Sequence, residues 1–238
     1  RGFSAPVTIT SDLTDDDLLF LMANDSDGFN RWDAGQTYLQ RLVLGMAAGR
    51  VKEVPQACIE AFGELLADKK SDRALLAKAL ALPSENYLAQ LMEVVDVDGL
   101  YDARKGLMTI VGRAHYNAFR HTFDDNMDNG AYSALPVPIG KRRLKSVALR
   151  YLQAANEAEA VSLAAQQYRV AKNMTDKVTA LAILTDSQSP ERNTAFAGFY
   201  EDWKADPLVL DKWFSLQAIA DRQDCVEMVT QLTGHADF

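Results

Sequence analysis

The chain has 238 residues, of which 48% are hydrophobic and 24% are charged, and its formal net charge is −8. This length and apolar content suffice for one large domain or two small ones with a sizeable core, and they exclude wholesale disorder. The acidic balance disfavours nucleic acid as a partner, because an acidic surface repels phosphate backbones. No stretch approaches the roughly 18 apolar residues of a membrane-spanning helix, so we expect no membrane partner either.

We expect no export signal in the amino-terminal segment. Residues 1–6 lack the apolar stretch of a signal peptide. The chain starts with arginine instead of methionine, so we expect it to be a fragment of a longer polypeptide. Cys58 and Cys225 stand far apart, unlike the dense spacing of a disulfide framework. We therefore expect two reduced, buried thiols in a cytoplasmic protein.

The first predicted element is a single β-strand. Residues 3–10 alternate between apolar and polar positions and include β-branched residues. A lone strand cannot satisfy its ladder hydrogen bonds. We therefore expect the rest of its sheet to lie outside this chain.

Residues 12–238 are predicted to be all-α. Thr14, followed by three aspartates, has the pattern of a cap with an acidic first turn. A second helix is predicted from about Asn30 to Ala48. Its apolar face comprises Trp32, Gly35, Leu39, Leu42, Val43 and Met46. Further helices are predicted at 55–68, 72–82, 85–93, 99–123, 139–155, 157–169, 173–187, 190–204, 207–220 and 222–233.

The clearest internal break is predicted at 124–138. Its first half is polar, and Pro136 and Pro138 forbid a continuous helix. The helix after it carries an apolar stripe at helical spacing. The stripe consists of Leu144, Val147, Ala148, Tyr151, Leu152 and Ala155.

Many helices with short connections predict antiparallel neighbours. The expected fold is an irregular superhelix, an α-solenoid-like array of antiparallel helices. The sequence shows no fixed repeat period, which argues against tetratricopeptide or ankyrin repeats.

The residue types that carry most enzyme chemistry are dispersed in this sequence. A helical zinc pair needs two histidines four positions apart with a glutamate between them, whereas His115 and His121 are too widely spaced and His235 is remote. Cys58 lies in an apolar run without a neighbouring histidine, which indicates a core residue. No nucleotide-binding or serine-nucleophile motif is present. We therefore assign no catalytic, cofactor-binding or metal-ligating residue.

One basic cluster comprises Lys141, Arg142, Arg143 and Lys145, with Arg150 beyond it. Such a cluster could hold phosphate or nucleic acid. These residues flank the apolar stripe, however, so a solvated or domain-contacting face is the favoured interpretation.

Five segments, in order along nearly the whole chain, carry a family resemblance. They are residues 1–7; residues 29–36, which fit F-x-R-W-[DE]-A-x-Q; residues 143–152, which resemble R-x-L-[KR]-x-x-x-L-x-[FY]-L; residues 173–176, which read N-M-T-D; and residues 210–218, which fit M-D-K-W-F-x-x-Q-A with leucine in first place. Together they resemble the carboxy-terminal region of the M1 zinc aminopeptidases of the bacterial aminopeptidase N type.

The resemblance gives these segments structural roles. It implies that residues 1–11 end a preceding β-sandwich domain and that residues 12–238 form a helical domain that continues past Phe238. It also implies that Arg31 and Asp33 flank a buried Trp32, and that Asn173 and Thr175 shape a helix start. Trp213 and Phe214 would fill a gap between helices.

The family's chemistry depends on motifs that are missing here. The resemblance implies that zinc is held by H-E-x-x-H and a further glutamate, and the free amino group of the peptide by G-x-M-E-N. Neither motif occurs in this sequence. The implied function of this chain is to close the chamber of a zinc aminopeptidase and control peptide access, with the catalytic and β-sandwich domains of the same polypeptide as partners. The alternative is a free-standing α-solenoid that binds another protein.

Overall fold

The computed structural model describes residues 11–128 and 130–238. In these residues it contains thirteen α-helices and no strand, which confirms the all-α prediction. The predicted strand at 3–10 lies outside the described residues, and so does nearly all of the predicted β-sandwich segment at 1–11.

The helices follow one another through short connections. They are α1 (Asp15–Asn24), α2 (Gly28–Ala47), α3 (Gln56–Ala67), α4 (Arg73–Leu80), α5 (Glu85–Ala89), α6 (Val97–Ala114), α7 (Tyr116–Asp125), α8 (Pro136–Ala155), α9 (Glu157–Val170), α10 (Met174–Leu184), α11 (Pro190–Trp203), α12 (Pro207–Ala218) and α13 (Cys225–Leu232). None of the helices in the described part of the chain combines the length and apolarity needed to cross a bilayer.

Side-chain caps set many of the helix starts. Thr14 and Asp17 form a reciprocal capping box at α1, in which each side chain accepts from the other residue's backbone N–H. Ser189 and Asp206 cap α11 and α12, and a proline follows each of them at the first helical position. These starts agree with the sequence predictions.

The single helix predicted at 99–123 is wrong, because the structure has two helices there. The chain leaves helical geometry at His115, with φ −116° and ψ 26°. The Nε2 atom of His115 lies 2.7 Å from the carbonyl oxygen of Ile59 in α3. This contact anchors the break to another helix, a tertiary cause that helical periodicity does not reveal.

The break predicted at 124–138 is real but shorter than expected. Helix α7 continues to Asp125, and α8 already begins at Pro136. Pro136 and Pro138 occupy the first turn of α8, where a backbone N–H has no intrahelical acceptor to lose. The two prolines therefore start a helix instead of interrupting one.

Helix α8 lies at the centre of the fold and packs against α4, α6, α7, α9 and α10. Its predicted stripe is confirmed, with Leu144, Ala148, Tyr151 and Leu152 buried and the other two positions partly buried. The Tyr151 ring stacks on Phe119 at a centroid distance of 4.3 Å. Its hydroxyl donates to the Leu80 carbonyl oxygen at 2.7 Å, so the buried polar atom is satisfied.

The two halves of the chain are connected differently. In the first half, packing joins helices that are distant in sequence, such as α1 with α3, α2 with α6 and α4 with α8. From α9 onward, each helix packs on the next one along the chain. The second half thus has the sequential stacking of a helical repeat array.

Candidate functional site

The basic cluster and the N-M-T-D segment meet inside the core. Lys145 Nζ lies 2.9 Å from Asp176 Oδ1, and the two residues are only 1% and 3% exposed. Asn173 caps α10 by accepting from the Asp176 backbone N–H, and its own Nδ2 donates to Asp176 Oδ2 at 2.9 Å. The capping role predicted for Asn173 is confirmed, and the ion pair was not foreseen.

The remaining basic residues do not form one surface. Arg142 is buried and donates to the Ser133 carbonyl oxygen at 2.9 Å. Arg143 and Arg150 are exposed, and Lys141 is half-exposed. The prediction of a solvated or domain-contacting face is therefore wrong for Arg142 and Lys145. Both lie on the core side of α8, where the Asp176 carboxylate compensates the charge of Lys145 and the Ser133 carbonyl oxygen accepts from Arg142.

Arg31 joins three parts of the fold. Its Nη1 lies 2.5 Å from Asp68 Oδ2 and 3.2 Å from Ser71 Oγ, in the connection between α3 and α4. Its Nε donates to the Met22 carbonyl oxygen of α1 at 3.1 Å. Arg31 is buried, whereas Trp32 is only half-buried. The prediction of a buried Trp32 is thus wrong, and the buried member of the motif is the arginine.

The hydrogen bonds around Asp68 stabilise its ionised form. Burial alone would raise the pKa of this carboxyl group. The Ser71 hydroxyl, the Arg31 guanidinium and the backbone N–H groups of Ser71 and Lys70 all donate to it and together hold its pKa well below its usual range. Asp68 is therefore a structural acceptor that stays charged over the physiological range.

The D-K-W-F segment supplies aromatic packing at the end of the array. Trp213 donates from Nε1 to the Phe196 carbonyl oxygen of α11 at 2.9 Å. Its ring lies 5.3 Å from the Tyr200 ring and 4.9 Å from the Phe214 ring. The His235 ring also lies within this group. The predicted filling of a gap between helices is confirmed.

A polar cluster ties α6 to the connection after α12. Lys105 Nζ lies 2.7 Å from Asp221 Oδ2, and the Tyr101 hydroxyl donates to the same carboxylate. The Asp221 backbone N–H donates to Asp186 Oδ1 at 2.9 Å. The hydrogen bond to Asp221 raises the pKa of Lys105, so the ammonium group is held charged. The arrangement fixes a surface turn.

The three histidines remain apart in space as well as in sequence. His115 contacts α3, His121 is exposed, and His235 lies among aromatic rings. Within residues 11–128 and 130–238, no group of three His, Cys, Asp or Glu side chains is placed to hold a metal ion. Cys58 is buried, which raises the pKa of its thiol to about 11. Cys225 is only half-buried, so the prediction of two buried thiols holds for Cys58 alone.

A cavity of about 80 Å³ opens between α3, α4, α7 and α8. Five leucines form its apolar wall: Leu65, Leu66, Leu76, Leu80 and Leu144. Asn126 and Thr122, both buried, contribute polar groups from the end of α7. The sequence gives no local sign of this cavity, because its lining residues come from separate helices and their connections.

The connection between α5 and α6 exposes an unusual amount of apolar surface. The exposed residues are Tyr87, Leu91, Val94, Val95 and Val97, with Val94 82% and Val97 69% accessible. We call them the α5–α6 apolar segment. Three valines lie at and just before the start of α6, and this cluster was a readable signal of exposed apolar surface in the sequence.

The last helix does not present the apolar face that its sequence suggests. The spacing of Val226, Val229 and Leu232 allows them to share one face of the helix. Val226 is exposed, but Val229 is half-buried and Leu232 is buried. Helix α13 packs on α12, so Leu232 is covered within the chain whereas Val226 is not.

The fold defines the class of protein as a helical-repeat domain, and comparison with known proteins gives the family. Residues 15–238 match a family described as a domain of unknown function (DUF3458_C) with ARM repeats. The chain belongs to this family.

Three curated relatives are bacterial aminopeptidases N. The chain is 36% identical to the protein of Caulobacter vibrioides, over 100% of this chain and 28% of the relative. It is 32% identical to that of Escherichia coli and 30% identical to that of Haemophilus influenzae, over 99% of this chain and 28% and 27% of the relatives. The resemblance to the aminopeptidase N family is thereby confirmed.

A solved structure agrees with this result. The crystal structure of Legionella pneumophila aminopeptidase A in complex with aspartic acid matches with a TM-score of 0.86 and 28% sequence identity. The match covers 100% of this chain and 29% of that protein. The chain thus spans less than a third of the length of the relatives it matches.

Proposed function

We propose that this chain is the non-catalytic helical domain of a zinc aminopeptidase that removes amino-terminal residues from peptides. The observation that carries the proposal is the pattern of coverage. Almost all of this chain aligns with each aminopeptidase N, but only 27–28% of each relative aligns with this chain. A segment of that size serves its protein together with the other domains of the same polypeptide.

The roles of the motif residues support a structural function. Lys145, Asp176 and Arg31 form buried contacts between helices, and Trp213 packs between α11 and α12. Each makes hydrogen bonds or ion pairs within the chain that stabilise the helical array. In this proposal the zinc ion and its ligands belong to the catalytic domain, and no residue of this chain is assigned to them.

The domain's contribution to the enzyme would be control of access. A helical array that covers the catalytic chamber admits short peptides and excludes folded proteins and bulk water. The α5–α6 apolar segment supports this role, because an exposed apolar cluster in a fragment of a larger protein is suited to a domain interface. We assign that segment to contact with the remainder of the polypeptide.

Two features support placement in the cytoplasm. The two cysteines are free, and Cys58 is deeply buried, which suits a reducing compartment. We propose a cytoplasmic enzyme on this ground.

The test uses the polypeptide encoded by the complete reading frame. Val94→Asp combined with Val97→Asp is expected to loosen the cap and raise cleavage of long peptides relative to alanyl p-nitroanilide. Val170→Asp, at an exposed apolar position outside the segment, is the matched control and should leave that ratio unchanged. An unchanged ratio in the double variant would contradict the capping role.

The reading frame itself distinguishes the two candidate functions. A frame several times longer than this chain, with H-E-x-x-H upstream, fits the aminopeptidase. A frame that ends close to residue 238 would favour a free-standing scaffold.

A further inference from the structure

The cavity between α3, α4, α7 and α8 contains a buried polar atom without a partner. Asn126 is 3% exposed, and its Nδ2 donates to the Thr122 carbonyl oxygen at 2.7 Å. Its Oδ1 accepts no hydrogen bond from any described residue. An unpaired buried acceptor is unfavourable, so this atom calls for a donor from a bound molecule.

The rim of the cavity carries both signs of charge. Lys69 and Asp125 face each other with Nζ and Oδ2 3.9 Å apart. Arg73 also lines the cavity and makes no hydrogen bond or ion pair with any described residue. Asp68 is already engaged by Arg31 and Ser71. Beyond the groups that hold Asp68, the lining therefore offers a ligand Arg73 and the largely exposed Lys69–Asp125 ion pair.

The volume limits the size of the ligand. The cavity is small, at about 80 Å³, so it encloses only a few non-hydrogen atoms of a ligand. Its leucine wall offers apolar contact to at most a very short aliphatic group. A peptide, a nucleotide or a large side chain does not fit.

We propose that this cavity binds a small zwitterion, namely a free α-amino acid of the size of glycine or alanine. The ammonium group donates to Asn126 Oδ1 and is neutralised by Asp125. The carboxylate pairs with Arg73 and Lys69, and the alanine methyl group contacts the leucine wall. A simple anion or a simple amine matches only half of these groups. The proposal stands on the cavity alone and does not depend on the proposed aminopeptidase function.

The experiment is a titration of the ¹⁵N-labelled 238-residue chain followed by NMR. Glycine and L-alanine are expected to give saturable shifts that include the Asn126 side-chain amide. Acetate, methylamine and alaninamide each lack part of the zwitterion, and they should bind about tenfold more weakly or worse. Leucine should bind poorly because its side chain exceeds the cavity.

Two rim variants test the location without disturbing the core. Arg73→Gln and Asp125→Asn should each weaken alanine binding about tenfold. Arg50→Gln, at an exposed position remote from the lining residues, is the matched control and should bind like the parent. Asn126→Ser is added only if its thermal transition shows that it folds, and it should also lose binding.

Two results would overturn the proposal. One is the absence of saturable shifts with both glycine and alanine, which would mean that the cavity holds water. The other is binding that all rim variants retain, or equal affinity for acetate and alanine, which would place the ligand elsewhere or reduce the site to an anion site.

Discussion

Helices α8 and α13 show how differently two regions of this chain are held. Eight of the twenty residues of α8 are buried, including Lys145 with its partner Asp176, and the helix packs on neighbours from both halves of the chain. In α13 only Leu232 of eight residues is buried, and its main neighbour is α12. The centre of the domain is thus fixed by contacts within the chain, whereas its end is attached by few of them.

This difference has consequences for dynamics. Regions with few buried apolar contacts open locally at a small fraction of the global unfolding free energy. We expect α13 to exchange its amide hydrogens much faster than α8. If the proposed function is right, further parts of the polypeptide would cover this end and slow its exchange.

The largest expected effect on the free energy of unfolding concerns the central helix α8. Lys145→Met leaves the Asp176 carboxylate buried without its cation, which should lower the free energy of unfolding by about 3–5 kcal/mol. Lys177→Met is the matched control, because Lys177 pairs at 3.4 Å with a largely exposed Asp202 and should cost less than about 1 kcal/mol. Urea unfolding followed by circular dichroism measures both. Equal losses would show that α8 is less enclosed than its burial indicates.

A second prediction tests the close packing of α6 on α8. A Cβ atom at Gly112 would lie 2.6 Å from the backbone oxygen of Tyr151, so Gly112→Ala must push the helices apart. The expected loss is about 2–3 kcal/mol. At Gly106 in the same helix nothing lies within 4 Å, and Gly106→Ala should stabilise by about 0.5–1 kcal/mol. Thermal melts that shift in the same direction for both variants would contradict the described contact.

The third prediction concerns pH and the Arg31–Asp68 contact. The pKa of Asp68 in the folded chain lies below its value of about 4 in the unfolded chain. The contribution of Asp68 to the free energy of unfolding is therefore complete above about pH 4, and it is lost as the pH falls through the folded pKa. Asp68→Asn should therefore cost about 2 kcal/mol at pH 7. The difference between parent and variant should shrink steadily below pH 4, as measured by urea unfolding at several pH values. A difference that stays constant with pH would contradict this account of Asp68.

The smallest effect on the free energy of unfolding is expected in helix α13. Val226 in α13 is 81% exposed, so Val226→Ser should change the unfolding free energy by no more than about 0.5 kcal/mol. Leu232→Ala, at the buried position of the same helix, should lower the free energy of unfolding by more than Val226→Ser does. A large loss at Val226 in the chain by itself would show that α13 is packed more fully than its exposure indicates.

The sequence predicted the helical part of this fold well where local signals decide it. The cap at Thr14 and the stripe from Leu144 to Ala155 depend on neighbouring residues, and both predictions were confirmed. The break at His115 depends on a contact with a distant helix, so local periodicity could not reveal it.

The buried polar contacts were the part that the sequence hid. A lysine in a basic run, such as Lys145, is expected at the surface. Its burial is possible only because Asp176 of α10 lies beside it and pairs with it. The same holds for Arg31, whose partner Asp68 comes from the connection after α3. The cavity around Asn126 combines residues from four helices, and no single segment carries its signature.

We propose that this chain supplies architecture and no catalytic group to an aminopeptidase. The most direct measurement is hydrolysis of alanyl p-nitroanilide by the purified 238-residue chain, with and without added zinc, alongside its metal content. We predict no turnover above buffer and no stoichiometric zinc, because the described histidines and acids are not placed to build the metal site. Stoichiometric zinc together with turnover that a chelator abolishes would contradict the claim.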